Sequence, residues 1–161
     1  MKTIEINGQK YDLEFTFAAA DEKGLVQSMF KVVSGAYLFD NTNANASMAA
    51  AMISGTSEMI ADLPHISKLA FYAGLKEHNA DITYDAAVEL MKAYMKENKL
   101  SFNAMFQLLK MQMEEDGFFD LTGIVEMMET MNKKEDEEEQ EKPVKPPKTP
   151  QDHLKKSAGT K

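Results

Sequence analysis

Residues 66–119 read ISKLAFYAGLKEHNADITYDAAVELMKAYMKENKLSFNAMFQLLKMQMEEDGFF. Apolar residues recur at helical spacing in three segments, and two short polar breaks separate them. In the first segment Ile66, Leu69, Ala70 and Ala73 share a face up to about His78, and Pro64 suits the first turn of a helix, where its missing N–H costs nothing. At the first break Thr83 is an N-cap, and Asp85 complements the helix dipole. Tyr84, Val88, Met91 and Met95 then follow at i, i+4, i+7 and i+11, while Asp85, Glu89, Lys92 and Lys96 take the polar side. At the second break Ser101 caps a helix flanked by Leu100 and Met105 at the spacing of a hydrophobic staple. Phe102, Met105, Phe106, Leu109 and Met113 carry that helix inward, and Leu108 widens its apolar arc. Gly117 suits a left-handed C′ position that ends it. Phe118 and Phe119 set two large rings at the stop.

Toward the N-terminus the period changes from helical to two. In residues 3–17, TIEINGQKYDLEFTF, Asn7-Gly8 is the signature of a two-residue type I′ hairpin. That turn pairs Ile6 with Gln9, Glu5 with Lys10 and Ile4 with Tyr11. Alternation assigns Ile4, Ile6, Tyr11, Leu13, Phe15 and Phe17 to one face. Thr3, Glu5, Lys10, Asp12, Glu14 and Thr16 fall on the other. An isolated hairpin is marginal in water, so its apolar face needs a helical surface beneath it.

Between these stretches Val26, Met29, Phe30, Val33 and Tyr37 predict a helix, with Gly24 as a break before it. The polar run Asp40–Asn45 predicts a loop, and Ser47 caps a helix to about Ile60 whose Met48, Met52 and Met59 read as ordinary core. After Gly117, Leu121, Ile124, Val125, Met128 and Met131 align on a last short helix. Beyond Asn132 the chain holds eight lysines, seven acidic residues and four prolines with hardly an apolar side chain. That composition predicts disorder. The expected architecture is α+β and mostly α: an N-terminal β-hairpin packed on a small bundle of five or six helices in residues 1–131, with a disordered tail in 132–161.

Composition narrows the classes of function. The 161 residues fit one domain, able to bury roughly two thirds of its unfolded surface. Lys+Arg is 18 against Asp+Glu 26, a net charge of −8, and every basic residue is lysine. Nucleic-acid binding draws its affinity from phosphate neutralisation and favours arginine as a base reader, so this balance argues against it. Cysteine is absent, which removes disulfides and thiolate chemistry and fits a reducing cytoplasm. The N-terminus lacks the apolar core of a secretory signal, and no apolar run approaches the ~18 residues of a membrane span. His65, His78 and His153 form no metal-binding spacing. His78 reads as a favourable charge at a helix end rather than a ligand beside Glu77 and Asp81. Phosphate loops and nucleophile elbows are also missing, and the adjacent carboxylates read as solvated faces. No cofactor or metal is expected, and nothing points to an enzyme.

The hairpin TIEINGQKYDLEFTF, the segment FYAGLKEHNADITYDAAVELMKAY at 71–94 and the closing GFF at 117–119, taken in that order, resemble the tail assembly chaperones of long-tailed, siphovirus-like phages of Gram-positive bacteria. The resemblance covers about residues 1–131 and is weakest over the middle helices. It implies a non-enzymatic protein in the cytoplasm of the infected host, absent from the mature virion. Such a protein binds the tape measure protein, keeps it soluble, and promotes polymerisation of the major tail-tube protein around it. The resemblance also implies that in many phages a longer form is made by ribosomal frameshifting, and the Lys/Glu/Pro tail departs from the simplest short form. On this reading Phe102, Met105, Phe106, Leu109, Met113, Phe118 and Phe119 are the partner-facing residues. The competing reading places the same side chains in the core, where aromatics are usually found. The other reading of function is an acidic helical adaptor that docks one specific folded protein.

Overall fold

The structure, a computed structural model, describes residues 1–39 and 47–140. Strands β1 (Lys2–Ile6) and β2 (Gln9–Leu13) form the hairpin in the expected register, with Ile6 opposite Gln9, Glu5 opposite Lys10 and Ile4 opposite Tyr11. Asn7 and Gly8 both have positive φ, 51° and 78°, as a type I′ turn requires. Ile4, Ile6, Leu13 and Phe15 are buried and Tyr11 is half-buried. Phe17 breaks the pattern at 74 % exposure. The strand ends at Leu13 and Phe17 opens a helical turn, so period-two alternation no longer governs where it points.

That turn is α1 (Phe17–Ala20), followed by α2 (Lys23–Val33) and the single turn α3 (Ala36–Phe39). The break before α2 lies at Asp21–Glu22, and Gly24 falls inside the helix. Tyr37 is buried on α3 and donates its hydroxyl to Asp62 Oδ2 at 2.9 Å. Burial first, and then the Asp62 carboxylate, push the Tyr37 phenol up to about 12.

The largest departure from expectation is α4 (Met48–Lys76), a single 29-residue helix where two shorter ones were expected. Ser47 caps it, its hydroxyl accepting from Ala50 N, but Pro64 sits in the interior and opens nothing. An interior proline removes one backbone hydrogen bond and costs about 3 kcal/mol. Burial of the segment just beyond it offsets this: Ile66, Ala70, Phe71, Ala73 and Leu75 are all inside, and a fully buried Phe or Leu contributes about 1.5–3 kcal/mol. The helix packs against β2, α1, α2 and α3, and against α5 and α6.

Helices α5 (Tyr84–Glu97) and α6 (Phe102–Glu115) follow with the expected caps. Thr83 Oγ1 accepts from Ala86 N, and Ser101 Oγ accepts from Ala104 N. Each such cap is worth about 1 kcal/mol. Gly117, at φ 72°, ends α6 as read from the sequence and leads into the turn α7 (Phe118–Leu121). The last helix, α8 (Ile124–Gln140), runs past the boundary expected at residue 132. Glu, Lys and Gln in 133–140 are good helix formers and no proline intervenes before Pro143, so the helix continues through the charged block. The remainder of the expected tail, 141–161, and the loop expected at 40–45 lie outside the described residues. The described part is thus α+β and mostly helical: a two-stranded hairpin with five longer helices and three single turns.

Gly74 and the carboxylate of Asp116 fasten the hairpin to the helices. Glu14 N donates to Gly74 O at 2.9 Å. A Cβ at Gly74 would stand 2.8 Å from Phe15 Cζ and 3.1 Å from Leu13 Cδ2. Asp116, at the end of α6 and only 4 % exposed, accepts from the Met1 ammonium, from Phe15 N at 2.9 Å and from Gln112 Nε2 at 2.8 Å. Burial pushes its pKa upward, but these hydrogen bonds outweigh it and hold the carboxyl below its ordinary value.

Candidate partner-binding surface

Six of the seven residues expected to face a partner lie inside the protein. Met105, Phe106, Leu109, Met113 and Phe118 are fully buried or nearly so, Phe119 is buried, and Phe102 is half-buried. Their helix α6 packs on α4, and the Phe118 ring meets Phe15 edge-on with centroids 6.1 Å apart. Phe119 meets Phe118 in the same manner at 5.8 Å. Through Phe118 this buried cluster holds the hairpin to the bundle.

Open apolar surface lies elsewhere. A groove of about 840 Å³ runs between α2, α3 and the start of α8, walled by Val26, Phe30 and Ala36 on one side and by Ile124 and Met127 on the other. Its origin is the wide apolar arc of α2. Leu25 and Met29 point into the core, which leaves the neighbouring Val26 and Phe30 half-buried on the next face. The opposite wall is α8, which packs chiefly on α7. Its Ile124 is buried, yet Met127 is 54 % exposed and Val125, Met131 and the preceding Leu121 are open as well. The apolar face of the last helix is therefore largely uncovered by the described residues.

A second open strip lies on the first half of α4. Met48, Met52, Ile53 and Ile60 are at least half exposed, Met48 at 77 % and Ile53 at 73 %, whereas Met59 is half-buried. Met48 and Met52, read as core, are in this respect surface, while Met59 packs against the core. Pro64 marks where the helix passes from that strip into the core.

Several polar groups at the junction of α4 with the hairpin and α2 are committed to structure. Lys76 Nζ pairs with Glu22 Oε1 at 2.6 Å, and that hydrogen bond raises its pKa. Lys76 also lies 5.4 Å from the centre of the Tyr72 ring. His78 Nε2 meets Glu14 Oε2 at 2.6 Å, which joins the end of α4 to the hairpin. Among the described residues no three His, Asp or Glu side chains converge as a metal site, and no helix is long and apolar enough to cross a membrane. Periodicity marked Val26 and Phe30 as apolar but carried no sign of exposure. The available signal was the unusual breadth of the α2 arc, with apolar residues at 25, 26, 29, 30, 32 and 33.

No protein-family model, curated protein or solved structure matches this chain.

Proposed function

We propose that this protein is a tail assembly chaperone of a long-tailed phage, working in the host cytoplasm on the tape measure protein. The observation that carries the reading is the open groove between α2, α3 and α8. A helix with apolar residues at i, i+3, i+4 and i+7 docks in a groove of this kind, and the flexible Met127 thioether in its wall adapts to varied sequences. The order of the hairpin, the 71–94 segment and the closing GFF supplies the resemblance that gives the partner its name. The strip along α4 offers a second place for a long helical client.

Co-expression with the tape measure protein of the same phage tests this directly. The expected result is a soluble complex that survives high salt, because apolar burial dominates. Met127→Glu, a change at an exposed position, should return the client to the pellet. A client that stays insoluble with the unaltered chaperone defeats the reading. Recovery of a different, folded partner whose binding collapses with salt would favour the acidic adaptor instead.

A further inference from the structure

Residues 1–140 carry 24 acidic side chains against 12 lysines. Among the described residues, however, the one charged side chain lining the apolar groove is a cation, Lys31. It is exposed, enters none of the ion pairs found among the described residues, and lies one turn along α2 from Gln27, whose amide is the polar neighbour on the same rim. We propose that Lys31 selects and orients the occupant: the groove takes an amphipathic helix that carries a carboxylate at the flank of its apolar stripe, set to pair with this ammonium. This rests on the helix-binding reading above and adds the chemistry of the bound segment.

Two opposing electrostatic effects make the idea sharp. The long-range field of an acidic body attracts basic ligands. A local Lys31 contact favours an acidic one, and it acts only at contact distance and in one orientation. Apolar burial supplies most of the affinity and is indifferent to the polarity of the incoming helix, whereas a single rim charge distinguishes its two directions. Lys31 also lies in the last turn of α2, where a cation complements the helix dipole. That structural role predicts a change in stability but no preference among ligands.

The experiment uses the full chain and fluorescently labelled synthetic helices that share one leucine stripe at i, i+3, i+4 and i+7. They differ only in a flanking Glu, Gln or Lys, placed at either end of the stripe, and binding is followed by anisotropy. The expected result is that one Glu peptide binds about three- to five-fold more tightly than its Gln counterpart at low salt, the range of a partly exposed ion pair. The Lys peptide at the same position should be weakest. The preference should vanish in half-molar salt and reverse in Lys31→Glu. Equal binding of all three peptides overturns the proposal and leaves the groove reading intact. A preference for the Lys peptide does the same, since the long-range field then decides. If no peptide binds, or if Met127→Glu leaves binding unchanged, the groove reading falls and this proposal with it. Displacement of every peptide by laurate at lower concentration would replace the helix with an amphiphilic carboxylate as occupant and overturn the proposal.

Discussion

Replacing Gly74 with alanine should destabilise the protein even though alanine is the better helix former. Gly74 lies in the buried part of α4, against the hairpin. Its new Cβ would meet Phe15 Cζ at 2.8 Å and Phe15 Cε1 at 3.1 Å, where carbon atoms prefer about 3.5–4.0 Å. The ring cannot easily retreat. It is fully buried and held edge-on by Phe118, while its backbone N–H is fixed by Asp116. Nor can the helix withdraw freely, because Gly74 O accepts from Glu14 N.

Overpacking costs about 1–3 kcal/mol, and contacts of 2.8 and 3.1 Å with a ring that cannot retreat put Gly74→Ala at about 2–3 kcal/mol, against a helix-propensity gain of about 1 kcal/mol. The net expectation is a loss of about 1–2 kcal/mol, or a fall in Tm of roughly 3–8 °C for a domain of this size. Urea titration and thermal melts followed by circular dichroism would measure it. Gly24→Ala is the matched control. Its Cβ meets only Leu69 Cδ2 at 3.2 Å, the tip of a half-buried flexible side chain, so that variant should be neutral or slightly stabilised. In a Phe15→Leu background the cost of Gly74→Ala should shrink by about 0.5 kcal/mol or more, the signature of residues in contact. A Gly74→Ala protein as stable as the parent would refute the close packing of α4 on the hairpin.

Asp116→Ala should cost about 3 kcal/mol, because it leaves the Phe15 N–H and the Gln112 amide without their acceptor. Since the folded carboxyl is held below its ordinary 3.8, its stabilisation is complete above that value and is lost as pH falls through the lower, folded one. The acid limb of a stability–pH curve should therefore flatten in Asp116→Asn, and an unchanged limb would contradict this. Ser67→Ala should be neutral or stabilising by about 1 kcal/mol, because the Ser67 hydroxyl is fully buried and has no hydrogen-bond partner among the described residues. A clear loss in chemical denaturation would mean that the hydroxyl is satisfied after all.

The parts legible in the sequence were those dictated by local chemistry. A type I′ turn fixes hairpin register by itself, so Asn7-Gly8 sufficed to pair the strands correctly. Ser47, Thr83 and Ser101 announced helix starts because a hydroxyl at that point satisfies an otherwise orphaned N–H. Pro64 misled for the opposite reason. Its cost in a helix interior is local and visible, whereas the burial that offsets it involves β2, α5 and α6 and depends on tertiary packing. Phe17 misled because the strand ended before the alternation did.

The candidate surface was the least legible part, and the cause is the same. Burial is a property of pairs of elements, while periodicity is a property of one. The α6 stripe and the α8 stripe look alike in sequence, each a run of Met, Leu, Ile or Phe at helical spacing. Helix α6 lies against α4 and its stripe is closed; α8 meets chiefly one turn of α7, and beyond Ile124 and Met128 its stripe stays open among the described residues. What separates them is where the chain has already spent its partners. By the time α8 begins, β2 and five of the helices have packed onto α4. The last apolar face of the described chain is therefore left beside the second face of α2, and the two unpaired faces together make the groove. An apolar stripe with no remaining internal partner is the feature to look for when an interaction surface is sought in a small helical protein of this kind.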